Sequence, residues 1–140
     1  MLIKKSSLIE SFIYQHDCIE ILKEGTAIYN LNGTSDDKIE MHLLNGESKI
    51  FPSVIGTYQE LLDVYDVECC NMHCASLWLL PKIYGAHVSL LPSAPYKKIK
   101  VGDQFLIVPL CAKCNKIPSD EPIILAYDIP AVVGIWNGDK

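Results

Sequence analysis

The 140-residue chain contains no arginine, because all 12 of its positive charges are lysines. Arginine fingers and bidentate arginine clamps on phosphate are therefore excluded. The chain also lacks an apolar run approaching the ~20 residues that a membrane helix needs. No apolar segment follows Lys4 and Lys5, as a secretory signal would require. These absences predict a cytoplasmic protein with no membrane partner.

Two further motifs are missing from the sequence. There is no glycine-rich loop that could cradle a phosphate, and there is no H-E-x-x-H pair that could hold a catalytic zinc. The formal net charge of −5 argues against nucleic-acid binding over the whole surface. Residues 82–116 nevertheless carry six lysines and only one acid, Asp103. This segment is either a solvated lysine-rich loop or a local patch that faces phosphates.

The first part of the chain predicts a helix and a hairpin. Apolar residues recur on one helical face through residues 7–24, behind a capping box, although the aromatic and β-branched residues at 12–14 also suit a strand. Residues 26–31 and 38–44 have strand composition, and turn-forming residues separate them at 32–37. This pattern is typical of a β-hairpin.

The composition changes after Asp66. A second helix is predicted over residues 54–65, and after it the chain consists of short strands, prolines and cysteines. The predicted strands of this part cover residues 85–90, 105–110 and 122–135. We therefore expect two regions, 1–66 and 67–140, which can share one core.

Five of the six cysteines fall into two clusters. Cys69, Cys70 and Cys74 form the first, and Cys111 and Cys114 form the second, which is a C-x-x-C motif. Tetrahedral Zn²⁺ takes four thiolate or imidazole ligands, commonly as two chelating pairs that are separated in sequence. In a chain without a secretory signal, such clustering indicates a metal rather than disulfides. The sequence therefore predicts a structural Zn²⁺ site.

The ligand set has three firm members, which are the C-x-x-C pair and Cys74. The fourth is Cys69 or Cys70, and His73 is a weaker candidate. Cys18 lies alone in an apolar stretch and is interpreted as a core thiol. The alternatives are a set of buried cysteines without metal, or a redox-active C-x-x-C pair, which would leave the first cluster unexplained.

The order of these motifs resembles that of HNH-like treble-clef zinc proteins, which are ββα-metal domains braced by a four-cysteine zinc site. The resemblance covers residues 69–118 and rests on the cysteine pairs, on Gly-Ala-His-Val at 85–88, on Val-Pro-Leu-Cys at 108–111, and on Cys114 followed by Asn115. It implies a four-cysteine treble-clef zinc unit, and together with the pattern of the first part of the chain it predicts an α+β fold in which an N-terminal helix-and-hairpin unit precedes that unit.

The resemblance also implies catalytic residues. In active members a histidine at the end of the first strand is the general base, and a polar residue on the helix binds a divalent cation. His87 and Asn115 match these two positions, and the cation would be Mg²⁺ or Mn²⁺. Ala86 stands where an acid usually precedes the histidine, which removes a hard oxygen ligand for Mg²⁺.

Two functions follow as expectations. The first is a zinc-stabilised binding module of HNH-like fold that contacts nucleic acid or a protein partner. The second is a metal-dependent HNH-type endonuclease, in which Lys97, Lys98 and Lys100 would contact the phosphates. The missing acid and the absence of arginine favour the binding module.

Overall fold

The computed structural model describes residues 10–31, 39–43, 48–51, 54–63, 66–74, 81–91 and 103–136 of the chain. These residues form strands, one α-helix and one 3-10 turn, in the order β1 (Glu10–Leu22), β2 (Ala27–Asn30), β3 (Ile39–Leu43), β4 (Ser48–Phe51), α1 (Val54–Leu62), β5 (Ile83–Ser89), β6 (Gln104–Cys111), the turn (Cys114–Lys116), β7 (Ile123–Ile124) and β8 (Ile129–Trp136). Within these ranges, no helix has both the length and the apolar character needed to cross a membrane.

The strands form one sheet in the order β4-β3-β1-β8-β6-β5-β2-β7. Strands β1 and β3 are parallel, whereas every other neighbouring pair is antiparallel. The sheet curls into a half-barrel. Strands from both predicted regions take part in it, because β1 pairs with β8. The predicted α+β fold with an N-terminal helix-and-hairpin unit is therefore wrong.

The segment predicted as the first helix is strand β1. Its ladder with β8 shifts register between Tyr14 and Ile19, where five steps along β1 match two steps along β8. Such an irregularity breaks the strict alternation of a strand, so the apolar residues of this segment resemble one helical face. Pairing with β8 on one side and β3 on the other then overrides local helix propensity.

The predicted hairpin is also wrong, although both of its strands exist. Strand β2 pairs with β5 and β7, whereas β3 pairs with β1 and β4. The two strands therefore lie far apart in the sheet order. The residues between them indicate a turn, but they carry no information about which strands pair.

The predicted treble-clef unit lacks its helix. Within residues 103–136, all of which are described, the chain after β6 forms only the three-residue 3-10 turn at Cys114–Lys116. Pro118 follows two residues later and cannot continue a helix. The ββα arrangement that the resemblance implies is therefore absent from this part of the chain.

The core lies on both faces of β6. All seven residues from Phe105 to Cys111 are buried, as expected for a central strand that is covered on both sides. Leu106, Val108 and Leu110 belong to the main core cluster with side chains of β5 and β8. Phe105 and Ile107 alternate with them and face the opposite side of the sheet.

Helix α1 packs across β5, β6 and β8. It lies within the segment predicted as helical at residues 54–65, and it ends at Asp63, which has a positive φ of 54°. A residue in this left-handed conformation is a common helix terminator. The Tyr58 hydroxyl donates a hydrogen bond to the carbonyl oxygen of Pro130 at 2.9 Å, which ties the helix to β8.

Gly134 of β8 is expected to tolerate no side chain. A Cβ atom there would lie 2.5 Å from Cζ of Phe105, whose ring is buried and contacts the His87 ring at a centroid distance of 5.0 Å. Gly134→Ala should therefore lower the free energy of unfolding by about 1–3 kcal/mol, as overpacking of a core does. Urea denaturation measures this change, and an unaltered midpoint would mean that the ring moves freely.

Candidate metal centre

Four cysteines converge at one end of the sheet. The sulfur atoms of Cys69, Cys74, Cys111 and Cys114 all lie within 4.8 Å of one another. The Sγ atoms of Cys74 and Cys111 are 3.6 Å apart. Tetrahedral zinc with Zn–S bonds of 2.3 Å requires sulfur separations of about 3.8 Å. The donor set therefore has the number, chemistry and spacing to hold a metal ion of this kind.

Strand β6 and the 3-10 turn position the second cysteine cluster. Cys111 is the last residue of β6, and Cys114 begins the turn. Asn30 of β2 holds this turn, because its Nδ2 donates hydrogen bonds to the carbonyl oxygens of Cys114 at 3.0 Å and Ile117 at 2.9 Å. Asn30 is buried, so its position under the turn is fixed by the core.

Backbone hydrogen bonds position the first cluster. The amide of Cys70 donates to the carbonyl oxygen of Pro109 at 3.0 Å, and its own carbonyl accepts from the amide of Ala126 at 2.9 Å. The amide of Met72 donates to the carbonyl oxygen of Ile124 at 2.8 Å. The segment is thus fixed between β6 and the end of β7, with Cys69 in the sulfur cluster.

Asn71 is a site residue that the sequence interpretation missed. Its Nδ2 donates a hydrogen bond to the Sγ of Cys114 at 3.3 Å, and its Oδ1 accepts one from the amide of His73 at 3.1 Å. Its carbonyl oxygen also accepts from the amide of Cys74 at 3.1 Å, which closes the turn. An asparagine between two cysteines is a turn signal that could have identified it.

Burial and mutual hydrogen bonding shift the pKa values of the clustered thiols in different directions. Burial raises the pKa of Cys69 and that of Cys114. Burial acts on Cys111 in the same direction, but hydrogen bonds from the Cys114 amide and from the neighbouring thiols outweigh it, so the pKa of Cys111 is lowered. Zinc binds cysteine as the thiolate. Metal binding must therefore displace protons, and the metal affinity should rise with pH.

Asn71→Ala is expected to weaken metal binding. The substitution removes the hydrogen bond to Cys114 and the bond that orders the turn before Cys74. Loss of a partner that orients a metal ligand typically costs 10–100-fold in affinity, and we expect about tenfold here. Competition with a chromophoric chelator measures it. Asn115→Ala is the matched control, and equal weakening in both variants would remove Asn71 from the site.

Two other candidates for the fourth ligand lie outside the sulfur cluster. Cys70 is buried in the main core, next to Cys69 in sequence but not among the clustered sulfurs. His73 is exposed, and its backbone amide donates a hydrogen bond to the Asn71 side chain. Cys18 lies in β1, and its side chain is outside the described residues.

The residues expected to be catalytic are dispersed. His87 lies inside β5, is only 5% exposed, and contacts the ring of Phe105. Burial lowers the pKa of His87 to about 3. Asn115 lies in the 3-10 turn, where its buried Oδ1 has no hydrogen-bond partner among the described residues. Lys97, Lys98 and Lys100 lie outside the described residues.

His87 is also distant from the metal centre along the sheet. Cys111 pairs with Ile83, whereas His87 pairs with Ile107, four residues further along the ladder. At about 3.3 Å per residue, the two positions are separated by about 13 Å along the strand. The cysteines therefore form one site, and His87 belongs to the packing of β5 against β6.

Comparisons with protein-family models, with curated proteins and with solved structures find no match to this chain. No family hit supports the resemblance to HNH-like treble-clef proteins. What the geometry supports is therefore the coarser conclusion that four cysteines lie close enough together to hold a metal ion, in an arrangement compatible with zinc.

Proposed function

We propose that the protein is a zinc-stabilised binding module, in which a four-cysteine zinc centre holds the fold and a separate surface contacts a macromolecular partner. The convergence of four sulfur atoms within 4.8 Å carries the zinc centre of this proposal. Thiolates are soft ligands that select Zn²⁺ over Mg²⁺ and Ca²⁺, which prefer oxygen.

The zinc has a structural role in this proposal. Four thiolates complete a tetrahedral coordination sphere, so no position is left for a reacting water or substrate. Three of the four cysteines are buried, and only Cys74 is half-buried. A closed and largely buried site suits stabilisation rather than catalysis.

The metal would join two parts of the chain that are distant in sequence. Cys74 and Cys111 are 37 residues apart. Among the described residues 66–74, the first cluster has one isolated β-bridge, at Asn71, and no strand, whereas the second is anchored to β6. A zinc ion between them would stabilise the segment before β5 directly, because metal binding energy is folding energy in such sites.

No specific observation favours the HNH-type endonuclease. The general base in that reaction must reach a water molecule and the substrate, but His87 is 5% exposed within a paired strand. The residue before it is Ala86, which offers no metal ligand. The roles of His87 and Asn115 in catalysis stay predictions, and an assay for cleavage of DNA and RNA with Mg²⁺ or Mn²⁺ tests them.

Cobalt substitution tests the metal centre. Protein freed of metal is titrated with Co²⁺, which gives intense d–d and sulfur-to-cobalt charge-transfer absorption when four thiolates bind it tetrahedrally. We expect saturation at one Co²⁺ per chain, and displacement of the colour by Zn²⁺. A colourless protein that is still folded would overturn the proposal.

A neighbouring pair of variants identifies the fourth ligand. Cys69→Ser should abolish or strongly weaken the charge-transfer absorption, because it removes a sulfur of the cluster. Cys70→Ser changes the adjacent residue in the same way, but it should keep the absorption because the sulfur of Cys70 is not among the four that cluster. The opposite result would assign the ligand to Cys70.

A further inference from the structure

A groove with acidic residues at its edge lies beside the metal centre. It has a volume of about 430 Å³, and its lining includes Pro109, Ile129 and Pro130 as an apolar floor. The volume is within the ~300–1,000 Å³ range of ligand pockets. The groove is open to solvent, so a side chain presented by another molecule can enter it.

Tyr127 is the tyrosine of the groove that a ligand can reach. It is half-buried, and its hydroxyl donates a hydrogen bond to the carbonyl oxygen of Glu68 at 3.0 Å. Tyr58 also lines the groove, but it is only 2% exposed and donates its hydrogen bond to the carbonyl oxygen of Pro130. An aromatic face attracts a cation placed over it.

The charged side chains among its described lining residues are negative. Asp66 and Glu68 line the groove and are exposed, and no basic side chain is among those residues. An apolar lining with one accessible tyrosine and two exposed carboxylates is complementary to a long aliphatic side chain that ends in a positive charge. The methylene groups of such a side chain can cover apolar surface while its charged end stays in water.

We infer that this groove binds a basic segment of a partner protein, with a lysine or arginine side chain placed beside Tyr127 and its charge near Asp66 and Glu68. The inference rests on the proposed function in one respect: Asp66 and Glu68 lie within three residues of Cys69, and the proposed zinc would hold the segment that carries them. It names the partner class that the binding module recognises.

A labelled peptide of alternating alanine and lysine tests the inference by fluorescence anisotropy with the zinc-loaded protein. Binding should weaken steeply as salt rises, and a peptide with glutamine in place of lysine should not bind. Asp66→Asn combined with Glu68→Gln should weaken binding about tenfold, since two exposed charge pairs are lost. Asp120→Asn combined with Glu121→Gln removes the same charge from exposed residues that do not line the groove, and it should leave binding unchanged.

The aromatic wall has its own pair of variants. Tyr127→Ala should weaken peptide binding, whereas Tyr127→Phe keeps the ring and should retain it. Three results would overturn the inference. These are an equal loss of peptide binding in the Asp66/Glu68 and Asp120/Glu121 double variants, no peptide binding by the zinc-loaded protein, and binding of free cadaverine as tight as that of the peptide. The zinc content of each sample is measured in parallel, so a protein that lacks zinc identifies a failure of the metal centre and not of the groove.

Discussion

Cys111→Ser or Cys114→Ser is expected to abolish metal binding and to unfold at least the part of the chain that contains both cysteine clusters. Each substitution removes one of four clustered sulfurs, and both residues are buried beside the core. Structural zinc contributes roughly 10–16 kcal/mol in zinc-finger peptides, which is comparable to the whole stability of a domain at about 5–15 kcal/mol. Circular dichroism and thermal unfolding measure the loss.

Chelation of the wild-type protein is the control for this prediction. If the metal supplies the stability, the metal-free wild type and the two serine variants should unfold alike, and added Zn²⁺ should restore only the wild type. Serine variants that keep the wild-type unfolding temperature would mean that the cysteines only pack. The stability of the metal-loaded protein should also fall with decreasing pH, because protons compete with the metal for the thiolates.

The second large effect is a loss of stability at low pH that is caused by His87. Burial lowers the pKa of His87 to about 3, whereas an unfolded histidine titrates at about 6.5. Below pH 6.5 the unfolded state therefore binds a proton that the folded state does not, so stability falls as the pH decreases from about 6.5 toward 3. From this group alone, the free energy of unfolding should be about 2 kcal/mol lower at pH 5 than at pH 7.

Urea denaturation of the zinc-loaded wild type and His87→Leu at both pH values measures this effect. The leucine variant cannot titrate, so its loss of stability between pH 7 and pH 5 should be smaller by about 2 kcal/mol. The acid sensitivity of the metal centre is common to both proteins and cancels in the comparison. Equal pH dependence in wild type and His87→Leu would mean that folding does not lower the pKa of His87.

The four-cysteine cluster could be predicted from the sequence. Five cysteines in two short segments indicate a metal site, because few other kinds of site place cysteines in this way. The fourth ligand was left open because Cys69 and Cys70 are adjacent. Both residues are buried in the core, and only the three-dimensional structure shows that the sulfur of Cys69 lies in the cluster and that of Cys70 does not.

The sheet could not be predicted in the same way. Strand β2 was recognised from its composition, but its partners β5 and β7 are distant in sequence, and their choice depends on which surfaces are buried together. Because the ladder of β1 shifts register, the spacing of its apolar residues resembles that of a helix. The resemblance to treble-clef proteins rested on the cysteines and on short motifs, none of which determines whether a helix follows Cys114.

The zinc content of the purified 140-residue chain tests the metal centre most directly. Elemental analysis of protein prepared without added metal should give one zinc per chain, and removal of that zinc should unfold the region around the two cysteine clusters. A chain that contains no zinc, and whose unfolding is the same with and without a chelator, would contradict the proposal that metal holds this fold together.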